Sequence, residues 1–402
     1  MKTNLSFNRV ADMDSRHFDQ VKYDTPLRIS FLIHSLSRGG AEVQLMLLAK
    51  MLSFAGHEVS IVTMKKLGEL ENELEGHSIQ LFSLNSSGLI SLPLVVFKLI
   101  NFLNFERVSV LYSFMPESNI VASFVKIFIP HITVLWGHRS SGFDLKAYGF
   151  RTQIAYKLEP FLSAMPDLII TNSYAGAKIL NQRLANKQKV AVIHNGIDLK
   201  KFSPTSKSAR PLRKKWQIPE TTVVIGFPAR FDPVKDHRTF IIAAASILKS
   251  HHDIKFVIVG DGNIQYRREV QKQIRSLDIG RHTIFGPALD DMVEFYNAVD
   301  IITMTSLSEG FPNVLGEAMA CGVPCVSTDV GDARSIIGDD NLIVPVGDDK
   351  ALVKAWIKLL NKSFRAQKAK DGLKRVRENF SDKKMATNTL EIIRLTESEK
   401  LT

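Results

Sequence analysis

The chain has 402 residues, 45% of them hydrophobic and 23% charged, which is enough apolar mass for two cores and excludes a disordered, collagen-like or coiled-coil protein. Lys and Arg outnumber Asp and Glu by 52 to 41, a formal charge of +11 that calls for an anionic partner: nucleic acid, acidic lipid or a phosphorylated substrate. Zinc-finger spacing, a basic region feeding heptads and an aromatic RNA-binding signature are absent, which argues against nucleic acid.

Residues 1–25 read as a polar tail without the continuous apolar core of a secretory signal, so the chain is expected to stay in the cytosol. Ile29 to Ile33 is a short apolar run followed by Ser, Arg, Gly39 and Gly40, and then by a helical pattern with apolar positions Val43, Leu47, Met51 and Phe54. That is strand, glycine loop, helix. The alternation continues with strand candidates at Val59 to Val62, Val108 to Tyr112, Ile132 to Trp136, Leu168 to Ile170 and Val190 to Ile193. Parallel sheets covered by helices on both faces give this pattern. Leu89 to Phe105 is the most apolar stretch, but Pro93, Lys98 and Asn101 break it before the ~20 apolar residues of a spanning helix. A core-facing helix and an interfacial helix both fit it.

Lys200 to Lys215, rich in Lys, Arg, Ser and Pro, reads as a linker within 200–218. A second series follows, with strand candidates at Val223 to Phe227, Phe256 to Val259, Ile301 to Met304 and Val323 to Ser327 and a helical pattern at Phe240 to Leu248. The expected organisation is a first domain at 26–199, a second at 219–378, and a helical tail at 379–402 packing back on them. Cys321 and Cys325 flank a Gly-Val-Pro turn and suit small buried residues better than a disulfide or a metal site.

The densest chemical signal runs from Ser308 to Ala320, followed by Cys321-Gly322-Val323-Pro324. Glu309 and Glu317 lie with seven residues between them, the first in a loop at a strand end, the second about one turn inside a helix. Ligands of open α/β sheets bind at such strand ends. Pro312 near the helix start leaves backbone N–H groups that attract phosphate together with the helix dipole. Glu317 can accept hydrogen bonds from vicinal ribose hydroxyls. Arg230 and Lys235 flank the Asp232-Pro233 turn signal, so one loop can present both to one anion. Gly39 and Gly40 let backbone approach a ligand at the start of the first helix, where Glu42 is a dipole partner and not a catalyst. Trp136-Gly137-His138-Arg139-Ser140 ends a strand with two polar side chains that diverge, so either His138 or Arg139 is the candidate there. Asn195 and Gly196, within His194 to Asp198, suit a hinge.

These residues resemble glycosyltransferase family 4, retaining enzymes of the GT-B fold, through its E-x7-E motif. The resemblance covers nearly the whole chain: Gly39-Gly40-Ala41-Glu42, His194-Asn195-Gly196-Ile197-Asp198, Arg230 with Lys235, and Val259-Gly260-Asp261-Gly262 match in order. It implies an α/β protein of two facing Rossmann-like doubly wound domains with a donor cleft between them. It further implies that Arg230 and Lys235 grip the donor diphosphate, that Glu317 holds the ribose and that Glu309 faces the transferred sugar, with His138 or Arg139 adding to the catalytic set. Gly39, Gly40, Gly310, Phe311, Pro312, Asn313, Val314 and Leu315 complete the donor site, and Phe285-Gly286-Pro287 resembles the stretch that borders the base. No Asp-x-Asp pair occupies an equivalent place, so fixed cations stand where other transferases use a metal, and no cofactor is expected besides a UDP- or GDP-type sugar donor. The implied acceptor is a glycan, lipid-linked by the habits of the family, in capsule, O-antigen, lipopolysaccharide or other cell-surface polysaccharide synthesis. An anionic membrane surface at the cytoplasmic face of the inner membrane is then a partner, with a soluble acceptor left open. The rival readings are a sugar-nucleotide epimerase of the same fold and a non-catalytic nucleotide-sugar-binding protein.

Overall fold

The computed structural model describes residues 26–37, 39–86, 92–139, 150–184, 190–289 and 291–400. The expected tail at 1–25, residues 89–91 of the apolar stretch and Ser140 lie outside the described residues. The chain divides into two compact units, Met1–Gly196 with Asp382–Thr402, and Ile197–Ser381.

The first unit is built on β1 (Arg28–Ile33), β2 (Glu58–Thr63), β3 (Ile79–Ser83), β4 (Val110–Phe114), β5 (Thr133–His138), β6 (Leu168–Thr171) and β7 (Val190–Val192). They form one sheet of order β3-β2-β1-β4-β5-β6-β7, parallel throughout. Its central strands are buried on both faces, as parallel strands under helices must be. The period of two sorts them: Ile29, Phe31 and Ile33 pack with Leu45, Leu48 and Leu52 of helix Gly40–Phe54 and with Met385, Leu390 and Ile393 of helix Asp382–Lys400. Leu32 points to the other layer, with Leu99 of helix Leu92–Phe105 and Val121 and Val125 of helix Pro116–Phe128.

Several boundaries differ from the sequence reading for identifiable reasons. Helix Gly40–Phe54 is apolar nearly all round, and of its four expected apolar positions Leu47 and Met51 pack half-buried against the core while Val43 and Phe54 are 43% and 76% exposed. β4 starts two residues later than Val108, after Arg107 turns the chain at a φ of 51°. β3 went unread because it is a half-buried edge strand whose Gln80 and Ser83 dilute its apolar content. Helix Leu92–Phe105 does send Val95, Val96, Leu99, Phe102 and Leu103 into the core. No described helix is long and apolar enough to cross a membrane.

The second unit holds β8 (Val223–Pro228), β9 (Ile254–Val259), β10 (Thr283–Gly286), β11 (Ile301–Met304), β12 (Cys325–Thr328) and β13 (Ile343–Val344). Their order is β10-β9-β8-β11-β12-β13, again parallel. Trp356 anchors its core, buried against Phe240 and Phe256, with its indole N–H donating to Thr303 Oγ1 at 2.9 Å. The stretch read as a linker at 200–218 instead contains helix Ser206–Lys215 and belongs to this unit. Its charge masks the few anchors that matter: buried Leu212, and Arg213, which pairs with Asp300 at 2.7 Å and donates to the Ala298 carbonyl at 2.8 Å. β12 begins at Cys325 and not Val323, because Gly322 with a φ of 75° still belongs to the preceding turn. Both cysteines are free and buried. The tail expected at 379–402 becomes helix Asp382–Lys400, a structural part of the first unit.

Leu390→Ala, which empties a buried position of that helix, should destabilise the first unit by about 2–5 kcal/mol, read as a lowered urea midpoint.

Candidate functional site

β8 and β11 are neighbours in the second sheet although β9 and β10 intervene in the chain, and the order runs outward from them in both directions. The loops leaving their C-terminal ends therefore border a crevice at a topological switch point. After β8 comes Ala229 to Asp236, after β11 Thr305 to Pro312, and the two are stitched by backbone and hydroxyl groups. Leu307 N–H donates to the Val234 carbonyl at 2.8 Å, and Thr305 Oγ1 donates to the Lys235 and Asp236 carbonyls at 3.0 and 2.8 Å. Asp232 caps the short turn Pro233–Lys235, and Asp236, at a φ of 46°, caps helix His237–Ile247.

This stitching brings Lys235 and Glu309 into contact, with Nζ 2.5 Å from Oε1, and Ser306 Oγ donates to the same oxygen at 2.7 Å. Arg230 stands exposed on the same loop as Lys235. Two glycines fix the loops from below. A Cβ on Gly260, at a φ of 149°, would lie 2.1 Å from the Ala229 carbonyl oxygen, and one on Gly331, at 55°, would lie 2.3 Å from that of Gly310. The second close approach is locked by Asp332 N–H donating to Gly310 at 2.9 Å.

His237 was not singled out from sequence. Its ring is fully buried, stacked on Phe231 at 5.0 Å, with Phe227 and Tyr266 edge-on. Neither ring nitrogen has a hydrogen-bonding partner among the described residues, and burial pulls its pKa down to about 4. It is thus a neutral aromatic block under the Arg230 loop. Its signal was the Asp236-His237 start of a helix directly after Lys235.

Helix Asn313–Ala320 opens at Pro312 without a side-chain cap. Phe311 and Leu315 are in the core, so only their backbones can meet a ligand, while Asn313 and Val314 are half-buried. Glu317 accepts a hydrogen bond from the hydroxyl of Tyr296, also unread from sequence, at 2.7 Å. Burial raises the Glu317 carboxyl above its ordinary pKa, partly opposed by that hydrogen bond and by the charge of Lys201. Tyr296 is held well above the ordinary phenol value by burial and by Glu317, so it remains a donor. Phe285 lies half-buried with its ring 6.3 Å from Phe231, and Gly286 is buried at the end of β10.

The other expected residues belong to the first unit. Gly39 is extended and Gly40 starts its helix with no side-chain cap. In the expected hinge segment, Gly196 exchanges two hydrogen bonds of 2.9 Å with the Gln44 amide. His138 is buried at the end of β5, its Nε2 2.8 Å from Glu159 Oε1. Arg139 diverges from it, donating to Asn195 Oδ1 at 3.1 Å and Tyr112 Oη at 3.2 Å and lying 4.4 Å over the Phe114 ring.

Because the raised Glu317 pKa favours the protonated native form, its stabilising effect is complete below the unfolded value near 4.5 and is lost as pH rises through the folded value. Glu317→Gln should therefore raise the urea midpoint at pH 7, with an advantage over wild type that shrinks as pH falls toward 4.5.

Residues 208–376 match the family model for glycosyl transferases group 1, and residues 38–201 match that for glycosyltransferase family 4. The first curated relatives are matched over 40% to 63% of their own length. Among them, CapM of Staphylococcus aureus, a capsular polysaccharide biosynthesis glycosyltransferase, is 26% identical over 241 residues, 58% of this chain and 63% of its own. A Campylobacter jejuni α-1,4-N-acetyl-D-galactosaminyltransferase, named for a GalNAc-containing glycan on PP-undecaprenol, is 27% identical over 365 residues, 88% of this chain and 94% of its own. Of solved structures, Anabaena HepE in complex with UDP and glucose superposes with a TM-score of 0.77 at 21% identity, covering 92% of this chain and 99% of that one. Two family models in sequence along the two parallel α/β units, with a GT-B neighbour of the same extent, make the chain a member of glycosyltransferase family 4.

Proposed function

We propose that this glycosyltransferase transfers a sugar, with retention and without a metal ion, from a nucleoside-diphosphate sugar to a hydroxyl of a lipid-linked acceptor glycan in cell-surface polysaccharide synthesis. The observation that carries the donor half is the Lys235–Glu309 contact, with exposed Arg230 on the same loop and the N-terminus of helix Asn313–Ala320, opened by Pro312, in the following segment. In this reading Arg230, Lys235 and the helix N-terminus receive the diphosphate, and Glu317, oriented by Tyr296, accepts the ribose hydroxyls. Glu309 turns from Lys235 toward the sugar.

The acceptor hydroxyl attacks the anomeric carbon on the face the diphosphate leaves. The C–O bond to phosphate breaks as the new one forms, and the acceptor proton passes to a departing phosphate oxygen. The two cations stabilise the charge that develops there, where a metal would otherwise stand. A UDP-type donor is favoured by the UDP and glucose bound to HepE. A lipid-linked acceptor is favoured by the undecaprenol in the name of the Campylobacter relative. Within this chain, the outer side of helix Leu92–Phe105 adds to that reading: it exposes Leu94, Phe97 and Phe105 beside Lys98 and Arg107, apolar side chains set among cations as an anionic lipid surface requires.

UDP should raise the melting temperature without magnesium, more than GDP or ADP does, and Arg230→Ala should abolish the shift; a folded protein that responds to no nucleotide removes this reading. Once a donor is identified, Lys235→Ala should lower kcat/KM by about 100- to 1,000-fold, and unchanged turnover would dismiss Lys235. Vesicles containing acidic phospholipid should carry the protein upward in a flotation gradient at low salt and lose it at high salt. Protein that stays in the soluble fraction throughout refutes the membrane surface.

A further inference from the structure

The formal charge of +11 is concentrated in one stretch of the chain. Between Lys350 and Arg377 stand ten cations and one acid, Asp371, so that stretch carries a net +9. It forms two consecutive helices of the second unit, Asp349–Leu360 and Lys362–Asn379, which bury Leu352, Ala355, Trp356 and Leu359, and then Gly372 and Val376. Four of the cations serve the fold. Lys358 donates to Asn341 Oδ1 at 2.8 Å, Lys368 pairs with Asp339 at 2.7 Å, and Arg365 and Arg375 donate to the Leu359 and Ser335 carbonyls at 2.8 and 2.6 Å. Lys374 lies 3.9 Å from Glu378, both on the surface. Lys350, Lys354, Lys362, Lys370 and Arg377 are exposed and form no ion pair among the described residues.

Local forces oppose this placement. Lys350, Lys354 and Lys358 follow one another at i,i+4, as do Lys370 and Lys374, a spacing at which like charges destabilise a helix. Lys350 stands in the first turn of its helix and Lys362 opens the next, each at the positive end of a helix dipole. Charge left uncompensated against both effects gives the fold no stability, but it does attract an anionic surface. The exposed cations are lysines except for Arg377, mobile point charges suited to a diffuse field and not to the forked contacts of arginine. Bases would also need exposed rings to stack on, whereas Trp356 is buried and Phe364 half-buried. Ile357, 43% exposed, stands one turn from Lys354, an apolar side chain set among lysines as acidic headgroups over acyl chains require.

We propose that helices Asp349–Leu360 and Lys362–Asn379 form an electrostatic docking surface for acidic phospholipid, with Lys350, Lys354, Lys362 and Lys370 supplying the attraction. This surface belongs to the second unit. It requires neither the apolar helix Leu92–Phe105 of the first unit nor the donor and acceptor readings.

The test compares two variants of equal net charge on vesicles of phosphatidylglycerol mixed into phosphatidylcholine. One carries Lys350→Gln, Lys354→Gln, Lys362→Gln and Lys370→Gln; the other carries Lys214→Gln, Lys215→Gln, Lys249→Gln and Lys272→Gln, four exposed lysines elsewhere in the same unit. The first should lose about 100-fold in vesicle affinity at low salt and the second no more than about threefold. The first should also melt no lower than wild type, because the repulsion it removes opposed its own helices. Equal losses in the two variants mean that net charge acts without a surface, and they overturn the proposal. An unimpaired first variant overturns it alone and leaves helix Leu92–Phe105 as the membrane contact. Loss of duplex DNA binding in the first variant, read by fluorescence anisotropy, with vesicle binding intact assigns the helices to nucleic acid and overturns it as well. Wild type that does not bind the vesicles overturns it together with the membrane contact of the first unit, and leaves the donor reading, measured by the response to UDP, untouched.

Discussion

The contact between Lys235 and Glu309 depends on a constraint of parallel sheets: every strand must be re-entered from the same end, so the polar groups of successive loops accumulate at the opposite end. In the second unit the pair spans two such loops, one after β8 and one after β11, and it can form only because Thr305 and Leu307 tie those loops together through backbone carbonyls. Neither partner is fully buried, at 22% and 16% side-chain exposure, so the pair contributes little to stability on its own. It holds a cation and a carboxylate, each partly exposed, at neighbouring strand ends.

The backbone beneath the pair has much less freedom. Gly260 and Gly331 sit at positive φ and close against neighbouring carbonyls, so the loops that carry Arg230 and Glu309 can be built only with those two residues. His237 adds a neutral, caged ring under the first loop. A cationic imidazole there would face the desolvation that holds its pKa near 4, which the charge of Asp232 opposes only in part and the repulsion of Lys235 reinforces. The result is a sterically constrained backbone and a neutral, caged ring beneath a partly exposed ion pair.

Much of this was legible in the sequence, because parallel strands buried on both faces leave unmistakable apolar runs: β1, β2, β5, β8, β9 and β11 were all found within two residues of their ends. Reading failed where burial was one-sided or composition misled. β3 alternates as an edge strand, helix Ser206–Lys215 is anchored by Leu212 and Arg213 inside a basic stretch, and helix Gly40–Phe54 is too uniformly apolar for its inner side to be chosen from pattern. In the site, Arg230, Lys235, Glu309 and Glu317 stood out because their spacing is local. Tyr296, His237 and Glu159 were missed for the opposite reason: each is significant only through a partner on another element, and nothing in a single stretch of chain marks it.

The two units also handle polar groups at their strand ends in different ways. At the end of β8 the cations are partly exposed. At the end of β5 the polar groups are withdrawn from water and committed to one another, His138 to Glu159, Glu159 to Arg183, and Arg139 to Asn195 and Tyr112. A buried network of this kind fixes the direction of its hydrogen bonds, although Glu159 Oε2 and Arg139 Nε have no hydrogen-bonding partner among the described residues. The two strand ends thus differ in solvent access, with partly exposed charges at the end of β8 and withdrawn, mutually engaged polar groups at the end of β5.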